Sequence, residues 1–206
     1  MAVANLTERF DAAFLYAHER HGNQRRKGTG VPFIAHVMAV TALVLEHGGD
    51  EDQAIAALLH DTVEDHPRNG RTSAEILERF GERVQRMVIA MTDSDPDAPD
   101  DAAKGPWHER KEAYLGHLAA ASAEVLLVAA ADKLHNARAV YDDYRDDGEA
   151  IWSRFAVGRD DQLWYYKSLV DTLRGAPAGA PERLVDELTR TVGSLETLIA
   201  SPKADW

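Results

Sequence analysis

The feature that most constrains this chain is the segment at residues 55–65, an apolar run that passes directly into a cluster of polar groups. A helix turns by about 100° per residue, so Glu64 lies only about 40° around the axis from His60. Asp61 and Asp65 lie at about 100° and 140°, on the same side. The apolar side chains occupy the opposite side. We therefore expect one helix with an apolar face that packs against the core and a polar face whose groups can bind metal or transfer protons.

The composition narrows the class of protein. The chain has 206 residues, enough for one well-buried domain, and no apolar run approaches the roughly 20 residues of a membrane span. It has no cysteine, which excludes disulfides and thiolate zinc sites. The first residues lack the basic start and apolar stretch of a signal peptide, so we expect a cytoplasmic protein.

The charge argues against a nucleic-acid-binding surface. The formal net charge is −12, and the phosphate backbone of nucleic acids repels such a surface. A local basic cluster at residues 25–27 can still attract a small anion, although such a cluster alone is more often a solvated loop.

Apolar periodicity predicts helices along the chain, with no convincing strand and no internal repeat. The predicted helices cover residues 6–21, 32–46, 50–65, 72–91, 107–118, 124–138, 151–173 and 182–199. Asp50 is the expected N-cap of the third helix, and Thr72 or Ser73 that of the fourth. Residues 92–106, rich in Asp, Ala and Pro, are expected to be a mobile lid or a disordered insertion.

We therefore predict a single all-α domain over residues 1–206. Its core spans about residues 6–173, and a Gly/Ala/Pro linker leads to the C-terminal helix at about 182–199.

Three of the predicted helices carry candidate metal ligands. These are His36, the pair His60 and Asp61, and Asp132 at the end of the most apolar run, where an unpaired acid is costly to bury. Considered singly, His36 would more often be a core histidine. His60 and Asp61 could be a pair at a helix end, and Asp132 could be the partner of an arginine. Together, two imidazoles and two carboxylates suit divalent manganese, iron or zinc, with positions left for water and a phosphate oxygen.

An adjacent His-Asp pair after an apolar run resembles the HD phosphohydrolases, and further segments narrow the resemblance. The chain is similar to the hydrolase domain of the RelA/SpoT-type alarmone enzymes, particularly the small alarmone hydrolases, over about residues 6–140. The matching segments are residues 21–27, 32–36, 57–65, 80–81, 92–93, 109–111 and 131–138. The HD-x-x-ED pattern at residues 60–65 is the most specific. The chain departs from the family at Asn23, where glycine is frequent, and at residues 94–106, which have no counterpart.

The resemblance implies an HD-domain helical fold and a manganese-dependent pyrophosphohydrolase that removes the 3′-diphosphate of (p)ppGpp. It implies one divalent ion, held by His36, His60, Asp61 and Asp132. Dinuclear HD enzymes generally need additional histidines, and the candidates that have no assigned place are His66, His108 and His135.

The resemblance also implies roles in catalysis and in substrate binding. Glu64 and Asp65 correspond to the pair that activates or orients the attacking water, within reach of a metal-bound water. The residues implied to contact the nucleotide are Arg26, Lys27 and Asn136, with Arg25 as a further candidate. The expected partner is a small nucleotide, with no nucleic acid and no membrane. The oligomeric state is not readable from the sequence.

Two alternatives stay open. One is an HD phosphohydrolase of another specificity, acting on adenine alarmones, dinucleotides or another phosphoester, because only the base pocket decides this. The other is a catalytically silent nucleotide-binding module, against which the intact Glu64 and Asp65 argue. Residues 151–173 include side chains that either contact a distal phosphate or base, or form a buried aromatic helix with a solvated basic edge: Arg159, Trp164, Tyr165 and Lys167.

Overall fold

The regular structure consists of helices, as the apolar periodicity predicts. A computed structural model describes residues 4–96, 99 and 103–201, and within these ranges it contains no strand, only an isolated bridge between Arg25 and Pro32. The helices are α1 Glu8–His21, α2 Ile34–Glu46, α3 Glu51–Leu59, α4 Thr62–Asp65, α5 Arg71–Phe80, α6 Glu82–Met91, α7 Trp107–Ala119, α8 Ala123–Asp147, α9 Arg159–Gly175 and α10 Glu182–Ala200. None of the described helices is long and apolar enough to cross a membrane.

The most apolar run of the sequence forms the central helix, α8. It packs against α2, α3, α6, α9 and α10. Three consecutive alanines at residues 129–131 are fully buried, and their small side chains let the neighbouring helices approach closely. The helix is longer than predicted, running to Asp147, and its buried portion carries Asp132 into the interior.

Helix α3 is the second core element. Asp50 caps it as predicted: its carboxylate accepts a hydrogen bond from the backbone N–H of Gln53, whose side chain accepts one from the Asp50 N–H in return. Every residue from 53 to 60 is buried. The expected polar face is therefore absent from α3 itself, and polar groups begin only where the helix ends.

Two predicted helices are divided in the structure. The helix predicted over residues 50–65 ends at Leu59 and resumes as the short α4, with Asp61 between them at φ −93° and ψ −6°. The helix predicted over residues 72–91 breaks at Gly81, whose φ of 90° is in the left-handed region that glycine tolerates. The prediction of continuous helices was wrong at both places.

Two further predictions need correction. The N-cap of α5 is Gly70 rather than Thr72 or Ser73, because the Thr72 hydroxyl instead donates to the carbonyl oxygen of His66. The helix predicted over residues 151–173 is in fact a 3₁₀ segment, Gly148–Arg154, followed by α9.

The Asp/Pro-rich segment at residues 92–106 has no helix among its described residues, which agrees with the sequence. Residues 97, 98 and 100–102 of the predicted lid or insertion lie outside the described residues. Asp93, at the start of the segment, accepts hydrogen bonds from Arg110 and Lys111 of α7. This carboxylate ties the segment to the helix that follows it.

Candidate active site

Side chains from three parts of the fold converge on one point. The Nε2 atoms of His36 on α2 and His60 after α3 lie 3.2 Å apart. Asp61 Oδ2 lies 3.4 Å from His36 Nε2 and 3.0 Å from His60 Nε2. Asp132 Oδ1, on α8, lies 3.3 Å and 3.5 Å from the same two nitrogens. His36, His60 and Asp132 thus form one group whose ligand atoms all lie within 4.8 Å of one another, and Asp61 contacts both histidines of this cluster.

The cluster has the dimensions of a metal-binding site. Divalent ions bind nitrogen and oxygen ligands at about 2.0–2.2 Å, which puts neighbouring ligand atoms about 3.0–3.4 Å apart. The observed separations of 3.0–3.5 Å match that spacing. His36, His60 and Asp132 are at most 3% exposed, and Asp61 faces the adjoining cleft. The donor set of two nitrogens and two oxygens fits a divalent transition metal.

The outer nitrogens of the two histidines are also engaged. His60 Nδ1 lies 2.8 Å from the carbonyl oxygen of Ala57 and donates there, so Nε2 is the ring nitrogen that faces the cluster. His36 Nδ1 lies 2.9 Å from His135 Nδ1. Such outer partners fix the orientation of metal-binding histidines.

The electrostatics hold the two carboxylates ionised. Burial alone raises the pKa of a carboxyl group, but the charge of His60 and the hydrogen bond from His36 hold the pKa of Asp61 far below its usual value. Lys133 and the same imidazoles do so for the pKa of Asp132. Burial lowers the pKa of His60, but Asp61 and Asp132 outweigh it and raise that pKa well above the usual value. The carboxylates are therefore in the form that binds a cation.

The two predicted catalytic acids lie beside this cluster on α4. Glu64 and Asp65 line the same cleft as Asp61. The Glu64 carboxylate accepts a hydrogen bond of 2.8 Å from Lys104, and Asp65 accepts one of 2.7 Å from Gln24 Nε2. Desolvation in the cleft and the neighbouring Asp61 charge raise the pKa of Asp65.

Gln24 is a polar anchor that the sequence reasoning did not identify. Its Oε1 atom lies 2.7 Å from His21 Nδ1 and 3.2 Å from His66 Nε2. Two imidazoles therefore orient the amide that donates to Asp65. His66, a candidate ligand for a second metal ion, thus helps to orient Gln24, although the two residues are 42 positions apart in the sequence.

The basic residues at 25–27 lie on a tight loop between α1 and α2. The backbone N–H of Arg26 donates to the carbonyl of Val31, and Arg25 pairs with Pro32 in the isolated bridge. Gly28, at φ 69°, makes the reversal possible. The loop holds its basic side chains against the cleft.

The cleft beside the cluster has a volume of about 420 Å³. All the predicted substrate-binding residues line it: Arg25, Arg26, Lys27 and Asn136. The Asn136 amide connects them to the metal ligands, because it accepts from Arg26 at 3.0 Å and donates to Asp132 Oδ1 at 2.6 Å.

The residues left undecided near α9 separate into two groups. Tyr165 lines the cleft. Arg159 pairs with Glu149 at 3.3 Å and Lys167 pairs with Glu196 at 3.0 Å, as expected of a solvated basic edge. Trp164 packs against His108, another of the histidines without an assigned place, with ring centroids 5.0 Å apart and the ring planes tilted by 48°.

Three lysines that line the cleft were also missed: Lys104, Lys111 and Lys133. A signal for the last two was available, since both lie in segments that match the alarmone hydrolases. Their distance along the sequence from the basic loop concealed their place in the same cleft.

Comparison with known proteins finds similar chains. The family model described as HD domain matches residues 13–161. The guanosine-3′,5′-bis(diphosphate) 3′-pyrophosphohydrolase of Aquifex aeolicus (strain VF5) is 47% identical over 85 residues, which are 41% of this chain and 12% of that protein. This chain therefore spans only a small part of that longer relative.

Two further matches cover most of both partners. The guanosine-3′,5′-bis(diphosphate) 3′-pyrophosphohydrolase MESH1 of Danio rerio is 36% identical over 173 residues, 82% of this chain and 86% of that protein. A solved structure described as a metazoan ortholog of SpoT that hydrolyses ppGpp matches with a TM-score of 0.68 and 28% identity. It covers 93% of this chain and 99% of its own.

Proposed function

We propose that this chain, which belongs to the HD domain family, is a metal-dependent 3′-pyrophosphohydrolase of guanosine 3′,5′-bis(diphosphate) nucleotides. One observation carries the proposal: His36, His60, Asp61 and Asp132 converge at metal-ligand spacing beside a cleft lined with cations. The names of the relatives supply the substrate, and the cleft supplies the electrostatics that a nucleotide with two diphosphates requires.

The four ligands would hold one divalent ion, with manganese as the proposed metal. Bound there, such an ion supplies Lewis-acid activation of water and neutralises phosphate charge. The chain contributes the rest of the chemistry through Glu64, Asp65 and the cations of the cleft.

The reaction is a hydrolysis at the phosphorus next to the ribose. A water oxygen forms a bond to the phosphorus that carries the 3′ oxygen, and the bond from that phosphorus to the 3′ oxygen breaks. Glu64 accepts a proton from the water, Asp65 orients the water, and the 3′ oxygen takes up a proton as pyrophosphate departs. Arg25, Arg26 and Lys27 bind the nucleotide, and Asn136 holds Arg26 and the ligand Asp132 in register.

The location and domain organisation are further parts of the proposal. We infer a cytoplasmic enzyme acting on a small nucleotide. We also infer that α10 belongs to the same domain as the catalytic helices, because it packs against α8 and α9.

The test uses the metal-stripped protein with ppGpp. Adding Mn²⁺ should restore the release of GDP and pyrophosphate, and a panel of other divalent ions ranks manganese against them. Glu64→Gln should lower kcat by about 10²–10⁴-fold. His60→Ala should abolish turnover with unchanged helicity by circular dichroism, whereas the surface variant His108→Ala should retain it.

Three results would count against parts of the proposal. Unchanged turnover in His60→Ala would remove the metal assignment. Faster hydrolysis of adenine than of guanine alarmones would reassign the substrate. Nucleotide binding without turnover under every metal would favour a silent binding module.

A further inference from the structure

Two of the lysines in the cleft are largely buried, which is unusual for this residue type. The side chain of Lys111, on α7, is 20% exposed and that of Lys133, on α8, is 14% exposed. Both line the cleft that contains Asp61 and Glu64. Lys133 donates at 2.7 Å to Asp132 Oδ2, the oxygen not used in the ligand cluster. Lys111 and Lys133 together form what we call the lysine wall, which contacts a proposed metal ligand through Lys133.

The carboxylate partners of these two ammonium groups are shared with other cations. A single carboxylate, Asp93, serves both Arg110 and Lys111. Asp132, the partner of Lys133, would at the same time neutralise part of the charge of a metal ion. Burial and the nearby Lys133 lower the pKa of Lys111, as expected for cations that share a desolvated site. An anion bound in the cleft would give both ammonium groups a further charged partner.

A buried hydroxyl group lies on the same wall. Tyr165 lines the cleft and is 6% exposed, and its hydroxyl has no hydrogen-bond partner among the described residues. The ammonium group of Lys111 lies 4.9 Å from the centre of its ring. Burial raises the pKa of Tyr165, so the hydroxyl stays protonated and can donate a hydrogen bond. Two ammonium groups and a free donor form a binding set for phosphate oxygens.

We propose that Lys111, Lys133 and Tyr165 form a subsite for the terminal phosphate of the 3′-diphosphate that is cleaved. This proposal rests on the proposed function and deepens it. Because Lys133 contacts the ligand Asp132, the subsite lies next to the place where the phosphorus under attack would bind. A diphosphate can bridge the two positions, whereas a 3′-monophosphate reaches only the first. The subsite therefore selects diphosphate esters over monophosphate esters and holds the pyrophosphate product.

The test compares two guanosine 5′-diphosphates, one with a 3′-diphosphate and one with a 3′-monophosphate. Lys111→Met in the full-length, metal-loaded chain should lower kcat/KM for the diphosphate by about 10–100-fold, since it removes a charge-assisted contact. Tyr165→Phe should lower it by about tenfold. Hydrolysis of the monophosphate should change by less than about threefold in either variant, within the scatter of surface substitutions.

Arg110→Met is the matched control. It removes the other cation bound to Asp93 but does not line the cleft among the described residues, so the preference for the diphosphate should stay as in the wild type. Calorimetry adds a readout independent of turnover: Lys111→Met should weaken binding of pyrophosphate to the metal-loaded protein while leaving orthophosphate unchanged.

Each result decides the question. Equal losses on both substrates, or the same change in Arg110→Met as in Lys111→Met, would reject the subsite and leave a structural role for the lysine. If the wild type hydrolyses neither guanosine substrate, the proposed function fails. The comparison of pyrophosphate with orthophosphate then still tests the subsite by itself.

Discussion

The contact between His36 and His135 gives a sharp test of the metal site. If His36 Nε2 presents its lone pair to an ion, its Nδ1 carries the proton and donates to His135 Nδ1, 2.9 Å away. Burial, His36 and Arg26 lower the pKa of His135 to about 4, so the ring is neutral at pH 7 and can accept this hydrogen bond. His135 would thus orient the proposed ligand His36 through its outer nitrogen.

Replacing His135 by leucine should weaken metal binding by about 10–100-fold. His36 is 1% exposed and leucine offers no acceptor, so its Nδ1 proton would lose its partner in a buried position, which costs about 1–3 kcal/mol. At 1.4 kcal/mol per factor of ten this corresponds to about 5–150-fold, in line with the effect of outer partners at other metal sites.

Calorimetric titration of stripped protein with Mn²⁺ at pH 7 measures this change. His135→Asn keeps an acceptor oxygen at the same number of bonds from the backbone, and should bind the ion within about threefold of the wild type, as expected when the partner is preserved. Wild-type affinity for Mn²⁺ in the leucine variant, or an equal loss of affinity in both variants, would refute the orienting role of His135.

Three other predictions concern catalysis and stability. Gln24→Leu removes the donor to Asp65 and should lower kcat by at least about tenfold in steady-state kinetics, since positioned acid–base groups contribute about 10²–10⁴-fold. Burial raises the pKa of Asp93, but its two cationic partners lower it more, so its stabilisation is present above about pH 4 and lost as the pH falls through its folded pKa. Urea unfolding should show Asp93→Asn destabilised by about 3 kcal/mol at pH 7, and the gap to the wild type closing towards pH 2. Leu126→Ala, at a fully buried position of α8, should lower the free energy of unfolding by about 2–5 kcal/mol.

The fold class, and the residues that converge beside the cleft, could be predicted because each carries a local pattern. Asp50 caps α3 through a bond to a residue three positions away, which is a rule of short range. Asp132 stands out because an acid at the end of an apolar run needs a partner. Each proposed ligand stood out in its own sequence segment, and the family resemblance indicated that these segments form one site.

The lysine wall could not be predicted in the same way. Lys111 and Lys133 are 22 positions apart on different helices, and only packing brings them to the same cleft. The amphipathic pattern of α7 records which side is apolar, but not that a lysine at its edge would be buried by α9. The buried charge of Lys111 is stabilised by Asp93, a loop residue that helical periodicity does not detect.

The division between α3 and α4 falls at His60 and Asp61, the two adjacent residues that are proposed to share one ion. Neighbouring positions on a helix are about 100° apart around the axis, and both residues keep right-handed helical dihedrals, His60 at φ −57° and ψ −34° and Asp61 at φ −93° and ψ −6°. In the structure α3 ends at Leu59, and Asp61 Oδ2 reaches within 3.0 Å of His60 Nε2. The same break starts α4, which turns Glu64 and Asp65 towards the cleft. The polar groups of the candidate catalytic centre therefore begin where the apolar core helix α3 ends.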